Sequence, residues 1–274
     1  MTEKPANPDE SMSPSRAARS SAPSVLIAIG LIVLYLLLQA TAGAIVSFIM
    51  GVVERIHHPD LSQADLHRHV MDLLKRPDSN ALFVIVGLPL IALAMLSIVH
   101  RQWPALWSLA KPPGFGFAPA TSAYWYVLAF VVGIVTPPLG GWLTELLAHG
   151  QTVSQNVEEL SRNAPENLRL PLAMVMVIVG PLIEELLFRG VLLSSLMRGL
   201  STAWSVVISA VLFGVVHLDG LDFKWFALPG LILLAVGLAW LRLRSSSLWP
   251  AVLAHGIYNL FALIALFATI AGST

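Results

Sequence analysis

Seven stretches of this chain are apolar for long enough to cross, or nearly cross, a lipid bilayer. They lie at about 25–53, 80–100, 123–147, 170–197, 203–218, 224–241 and 248–271. A bilayer core about 30 Å thick needs about 20 mainly apolar residues in a spanning helix. Within hydrocarbon every backbone N–H and C=O must be satisfied internally, which leaves helices or closed barrels. Runs this long, without two-residue alternation, choose helices. The expected fold class is therefore all-α: a polytopic membrane helix bundle of about seven transmembrane helices with a polar cavity. The fifth and sixth stretches are short, and their separation depends on a turn at Asp219–Lys224.

Composition agrees. Hydrophobic residues make up 56% of the 274 and charged residues 12%, with a mean hydropathy of +0.76. Soluble domains carry roughly 25% charge, so a water-soluble globule, a disordered chain and a coiled coil are excluded. Lys+Arg and Asp+Glu both number 16, so no basic face invites nucleic acid. The chain has no cysteine, which removes disulfides, thiol nucleophiles and thiolate metal sites.

Three regions are expected. Residues 1–24, rich in Ser, Pro and Ala, read as a disordered polar tail. Residues 25–165 hold the N-terminal membrane helices and loops, and 166–274 a C-terminal helix core. The run Val25 to Val53 exceeds a signal-peptide core of about 7–15 residues, so it reads as a retained helix. Trp125, Trp142, Trp204, Trp225, Trp240 and Trp249 fall near segment ends, at headgroup depth. Arg198, Arg242 and Arg244 sit in short connections, which places those ends and the N-terminus inside. The connection Glu54–Ser79 carries His57, His58, His67 and His69. It reads as a polar loop or interfacial helix, with a metal site the lesser reading. His67 and His69, two apart, diverge on a helix. His149–Arg169 is a polar stretch without recognisable chemistry, and no internal repeat suggests a transporter.

The fourth stretch carries charges where lipid should forbid them: Gly180-Pro-Leu-Ile-Glu184-Glu185-Leu-Leu-Phe-Arg189-Gly190. Each charge at bilayer centre costs roughly 2.5–3.5 kcal/mol on insertion scales. Glu185 and Arg189 are four apart, share a helix face, and pair. Glu184 lies about 100° away around the helix and has no cation at a pairing interval. It must face a polar or wet cavity or be protonated, and a carboxylate tuned toward neutrality suits a general base or acid. Gly180-Pro181 would loosen the helix beside it. Two further apolar runs carry His217, four after Phe213, and His255, four before Asn259. Membrane helices cluster such groups inside a bundle, so one site built from the fourth, fifth and seventh helices is expected. A water-activating carboxylate with imidazole and amide donors suits peptide hydrolysis. Zinc held by two histidines and a glutamate is also chemically open.

These motifs in this order resemble the CPBP intramembrane protease family, which comprises CAAX prenyl endopeptidases and bacterial relatives called Abi proteins. The resemblance runs over residues 170–265 and rests on Glu184-Glu185-Leu-Leu-Phe-Arg189 after Pro181, on Phe213 to His217, and on His255 to Asn259 after Trp249-Pro250. It implies an intramembrane endopeptidase that hydrolyses hydrophobic or lipidated membrane-associated peptides. Glu184 would activate water with His217 assisting, His255 and Asn259 would stabilise the oxyanion, and Glu185 and Arg189 would support the geometry. It implies no cofactor and no metal, zinc being possible but not favoured. The partners would be a membrane peptide or protein substrate and the lipid bilayer, with no nucleic acid, in a plasma or inner membrane. The alternative is a non-catalytic membrane scaffold or bacteriocin-immunity protein.

Overall fold

The computed structural model describes residues 22–151 and 162–271, with side chains to 265. The expected tail falls mostly on residues 1–21, outside the described residues, as do 152–161 of the second polar connection. Eight principal helices follow in order: α1 Val25–His57, α2 Gln63–Leu74, α3 Pro77–Gln102, α4 Tyr124–Ala148, α5 Glu166–Leu196, α6 Thr202–Val216, α7 Leu228–Ser245 and α8 Trp249–Ala271. No strand occurs among the described residues. The protein is an all-α, multi-pass integral membrane bundle. Each apolar stretch is a helix, and the turn between the fifth and sixth is present as short 3-10 segments at Asp219–Leu221 and Trp225–Ala227.

Two boundaries move. The connection after α1 is mostly helical: α1 runs on to His57, and α2 spans Gln63–Leu74. Ser62 caps α2, its hydroxyl accepting from the Asp65 N–H at 3.1 Å. The Ser62 hydroxyl also donates to the Asp65 carboxylate, and with Arg68 nearby this holds that carboxyl below the usual carboxylate range. α5 begins at Glu166, earlier than the hydropathy suggests, with Pro165 before it and an acid in its first turn, where the helix dipole favours negative charge.

The bundle is inverted relative to a soluble protein. Leu26, Phe48, Ile56, Leu90, Leu93 and Leu170 are all more than half exposed, which suits side chains facing lipid. The largest core joins Leu31 and Tyr35 of α1, Met95 of α3, Ile183 and Leu187 of α5, Phe213 of α6 and Ala235 of α7. α4 packs on α7 and α8 through glycines. A Cβ on Gly133 would stand 2.6 Å from the Ile257 Cβ and 2.7 Å from the Ala254 oxygen, and one on Gly230 would stand 3.0 Å from the Gly140 Cα. Small residues let backbones approach where lipid offers no hydrophobic drive for association.

One end of the bundle is tied by polar bonds. Arg242, buried in α7, donates to the Ala110 and Gly114 carbonyls at 2.8 and 2.7 Å. Ser247 donates to Ala118 at 2.6 Å, and Arg198 to Ala22 at 2.8 Å. The N-terminal residue 22, the 108–122 connection and both short Arg-bearing connections therefore share one end. The positive-inside rule predicts from the sequence that this end is internal.

Two measurements check this fold. In this cysteine-free chain, single cysteines placed at Arg198 and Arg244 should resist an impermeant thiol reagent added outside intact cells, while one at Arg68 should be labelled; the reverse pattern inverts the topology. Gly133→Val should destabilise the detergent-solubilised protein by about 1–3 kcal/mol, read as a lower unfolding midpoint. Gly141→Ala, where an added Cβ meets nothing within 4 Å, should leave it unchanged.

Candidate active site

The site grows from an irregular helix. α5 is regular from Glu166, widens into a π-helical turn at Val175–Val179, tightens through Gly180–Glu185, and widens again at Leu186–Leu192. Wide turns of this kind concentrate at functional sites. Gly180 sends its N–H back to Val175, and Pro181 has no N–H to send. The Met176 carbonyl is met instead by Asn259, whose Nδ2 donates to it at 2.9 Å. Gly256 brings α8 against the same turn: a Cβ there would stand 2.6 Å from the Val177 oxygen. The expected loosening at Gly180-Pro181 is thus a docking seat for α8.

That seat aims two carboxylates in different directions. Glu185 is fully buried and its Oε1 accepts twice, from Arg189 Nη1 at 2.8 Å and from His255 Nδ1 at 2.9 Å. Arg189 is also buried, donates Nη2 to the Ala235 carbonyl of α7 at 3.2 Å, and lays its guanidinium 4.4 Å from the centre of the Phe213 ring. The Glu185–Arg189 pair follows from the sequence interval; its bond to His255, 70 residues away, has no sequence signal.

Glu184 points the other way. Its Oε2 lies 3.7 Å from Nε2 of His217 and 3.7 Å from Nε2 of His255. His217 caps α6, and its Nδ1 meets the Phe213 carbonyl at 2.7 Å. A carbonyl only accepts, so that nitrogen carries hydrogen. Each imidazole therefore has its Nδ1 engaged, on Phe213 or Glu185, and turns Nε2 toward Glu184. The Phe213 ring packs against both imidazoles, its centre 4.5 Å from that of His217 and 5.7 Å from that of His255. Tyr35 of α1, buried in the core, is close enough to interact electrostatically with Glu184; sequence reasoning passed over it because α1 carries no motif.

Side-chain exposure falls from 33% at His217 to 20% at Glu184, 5% at His255 and 0% at Glu185. Glu184 is thus open on the His217 side, while the Glu185–Arg189 pair forms the sealed floor. Glu184, His217, His255, Glu185 and Arg189 come together as the sequence suggests. Asn259 is one turn from His255 but commits one amide hydrogen to α5, so it steadies the α5–α8 contact at least as much as it faces the pocket. The separations around Glu184 are wider than the tightest metal-type cluster among the described residues, which lies elsewhere, at Glu54, His58 and His69.

Comparison with known proteins meets this geometry at the same residues. Residues 166–261 match the family described as "Type II CAAX prenyl endopeptidase Rce1-like". The chain is also similar to "Putative membrane peptidase YdiL" of Bacillus subtilis (strain 168), at 31% identity over 87 residues, 32% of this chain and 34% of that protein. The match thus spans about a third of the curated relative. No solved structure matches the chain. The family match covers residues 166–261, about a third of the chain, and that segment carries Glu184, Glu185, Arg189, His217, His255 and Asn259.

Proposed function

We propose that this protein is an intramembrane endopeptidase that hydrolyses hydrophobic or lipidated membrane-associated peptides in a plasma or inner membrane. The observation that supports it is one carboxylate oxygen, on Glu184, held 3.7 Å from the Nε2 atoms of both His217 and His255. That separation exceeds a hydrogen bond and suits a water between the groups.

In this reading Glu184 takes a proton from the water, and the resulting hydroxide attacks the peptide carbonyl carbon. The negative charge moves to the former carbonyl oxygen. His255 Nε2–H and the second amide hydrogen of Asn259 stabilise it. His255 is a donor at Nε2 only as the imidazolium, which the Glu185 carboxylate at its Nδ1 supports, as an acid supports histidine in a hydrolase triad. Charge balance agrees: Glu184, Glu185 and Arg189 sum to one net negative charge, which one imidazolium cancels. Collapse of the tetrahedral carbon breaks the C–N bond, and the proton held by Glu184 passes, with His217 assisting, to the leaving amine.

The reading is metal-independent. A divalent ion remains chemically possible, because an imidazole anchored at Nδ1 by a carboxylate or carbonyl is also oriented as a metal ligand. If one bound, Glu184, His217 and His255 would hold it and it would polarise the water.

Two experiments test this. Glu184→Gln should lower turnover of a membrane-embedded peptide library by about 10²–10⁴-fold while leaving the unfolding midpoint near that of the parent protein. Glu185→Gln should instead lower the midpoint, with a cost of about 3–5 kcal/mol because Arg189 is left buried without its counter-charge. Equal turnover by the parent and Glu184→Gln rejects the protease and favours the non-catalytic scaffold. Treatment with a strong chelator should leave turnover intact; loss restored by zinc in both the parent and a His58→Ala, His69→Ala variant would replace the metal-free mechanism.

A further inference from the structure

A second constellation lies where α1 meets α2, apart from the proteolytic pocket. Glu54 occupies the last turn of α1, His58 follows one turn later at its C-cap, and His69 comes from the second turn of α2. The Glu54 Oε2 lies 3.2 Å from His69 Nε2 and 3.6 Å from His58 Nε2. One donor atom from each residue lies within 4.8 Å of the other two. We propose that Glu54, His58 and His69 bind one divalent transition-metal ion of the zinc class, fastening α2 to the end of α1.

The distances carry the argument. Four-coordinate zinc with bonds of about 2.0–2.1 Å places its ligand atoms about 3.3 Å from one another. Contacts of 3.2 and 3.6 Å are already close to that edge length. The imidazole rings stand edge to face at 77°, with centroids 5.5 Å apart, so two nitrogens turn toward one oxygen without the rings stacking. Two imidazoles and one carboxylate form a donor set for zinc and its transition-metal neighbours; magnesium and calcium prefer all-oxygen shells. Three protein ligands leave a fourth position for water.

The scaffold is built from other bonds. Arg55 donates to the Leu61 carbonyl at 2.7 Å and to Pro59 at 3.3 Å, closing the connection between the helices. Ser62 then starts α2 at a set point. His57 turns aside, its Nδ1 meeting the Val53 carbonyl at 3.0 Å. Glu54 is the half-buried base of the cluster, with 19% of its side chain exposed, while His58 and His69 are open at 53% and 43%. An ion thus reaches the site from water. Leu74, at the end of α2, lines an apolar groove with Val46 and Met50 of α1 and Phe83 of α3, so fastening α2 also holds one wall of that groove.

The test uses the full chain in detergent, stripped with chelator and titrated with Zn²⁺. Bound zinc is counted by atomic absorption after gel filtration, and Co²⁺ is added in parallel for its visible absorption. The parent protein should hold about one zinc per chain. His58→Ala and His69→Ala should each weaken zinc binding at least tenfold, toward roughly a hundredfold, and abolish the tetrahedral Co²⁺ band. His67→Ala and His255→Ala should retain both signals. These variants replace exposed side chains except at His255, and circular dichroism confirms that each is folded before titration. Absence of stoichiometric zinc in the parent overturns the proposal: the cluster is then a surface His–Glu pair only. Retention of zinc by a His58→Ala, His69→Ala double variant, or its loss with His255→Ala, overturns it as well, the latter moving the metal to the proteolytic pocket. Zinc titration does not use peptide turnover, so its result stands apart from that of the peptidase assay.

Discussion

A carboxylate with no access to water organises the C-terminal half of this bundle. Glu185 cannot remain charged in a hydrocarbon-surrounded core without compensation, and the compensation comes from its own helix and from α8, with α6 and α7 holding Arg189. Arg189, one turn along α5, supplies the counter-charge; His255 on α8 donates to the same oxygen. Arg189 is itself anchored by a carbonyl of α7 and by the Phe213 face of α6. Such a buried pair is weak as a source of net stability, because desolvation offsets its attraction. Its consequence is register. Sliding any of these helices by a turn leaves a buried charge or donor unmatched.

The same register sets out the chemistry. Because Glu185 occupies the floor, Glu184 is turned toward the two imidazoles, and because Glu185 holds His255 Nδ1, the other nitrogen of that ring faces Glu184. Phe213 does the equivalent on α6, its carbonyl orienting His217 and its ring packing against both histidines. Backbone irregularity completes the arrangement. The π-turn and Pro181 divert helical donors from Met176, and Asn259 takes up that carbonyl, locking α8 one turn beyond His255. A regular α-helix at this place would have satisfied its own carbonyls and left α8 no polar hold.

The two ends of the molecule are built differently. The end bearing Arg198, Arg242 and Ser247 is cross-tied through the buried Arg242 guanidinium and serine hydroxyls to the 108–122 connection. At the other end α2 lies over the end of α1, held by Arg55 and by the Glu54–His58–His69 cluster. Exposure within the active cluster rises toward His217, at the end of α6. The sealed side of the pocket is therefore the floor formed by Glu185 and Arg189.

The apolar runs dictated by themselves that the chain is a membrane helix bundle, since hydrocarbon permits few other backbones and the runs are helix-long. The interval of four between Glu185 and Arg189 was enough to pair them, because a helix alone brings such residues together. Three short motifs singled out Glu184, His217 and His255, whose side chains meet, and Asn259, whose amide bonds the Met176 carbonyl. Other features waited on tertiary structure, for one physical reason: they join residues remote in sequence, and periodicity describes only neighbours on one helix. The bond from His255 to Glu185, the seat of Asn259 on Met176, the nearness of Tyr35 to Glu184, and the meeting of His69 with Glu54 and His58 all depend on how helices cross. Those crossings are decided by where glycines permit contact and where buried charges demand partners.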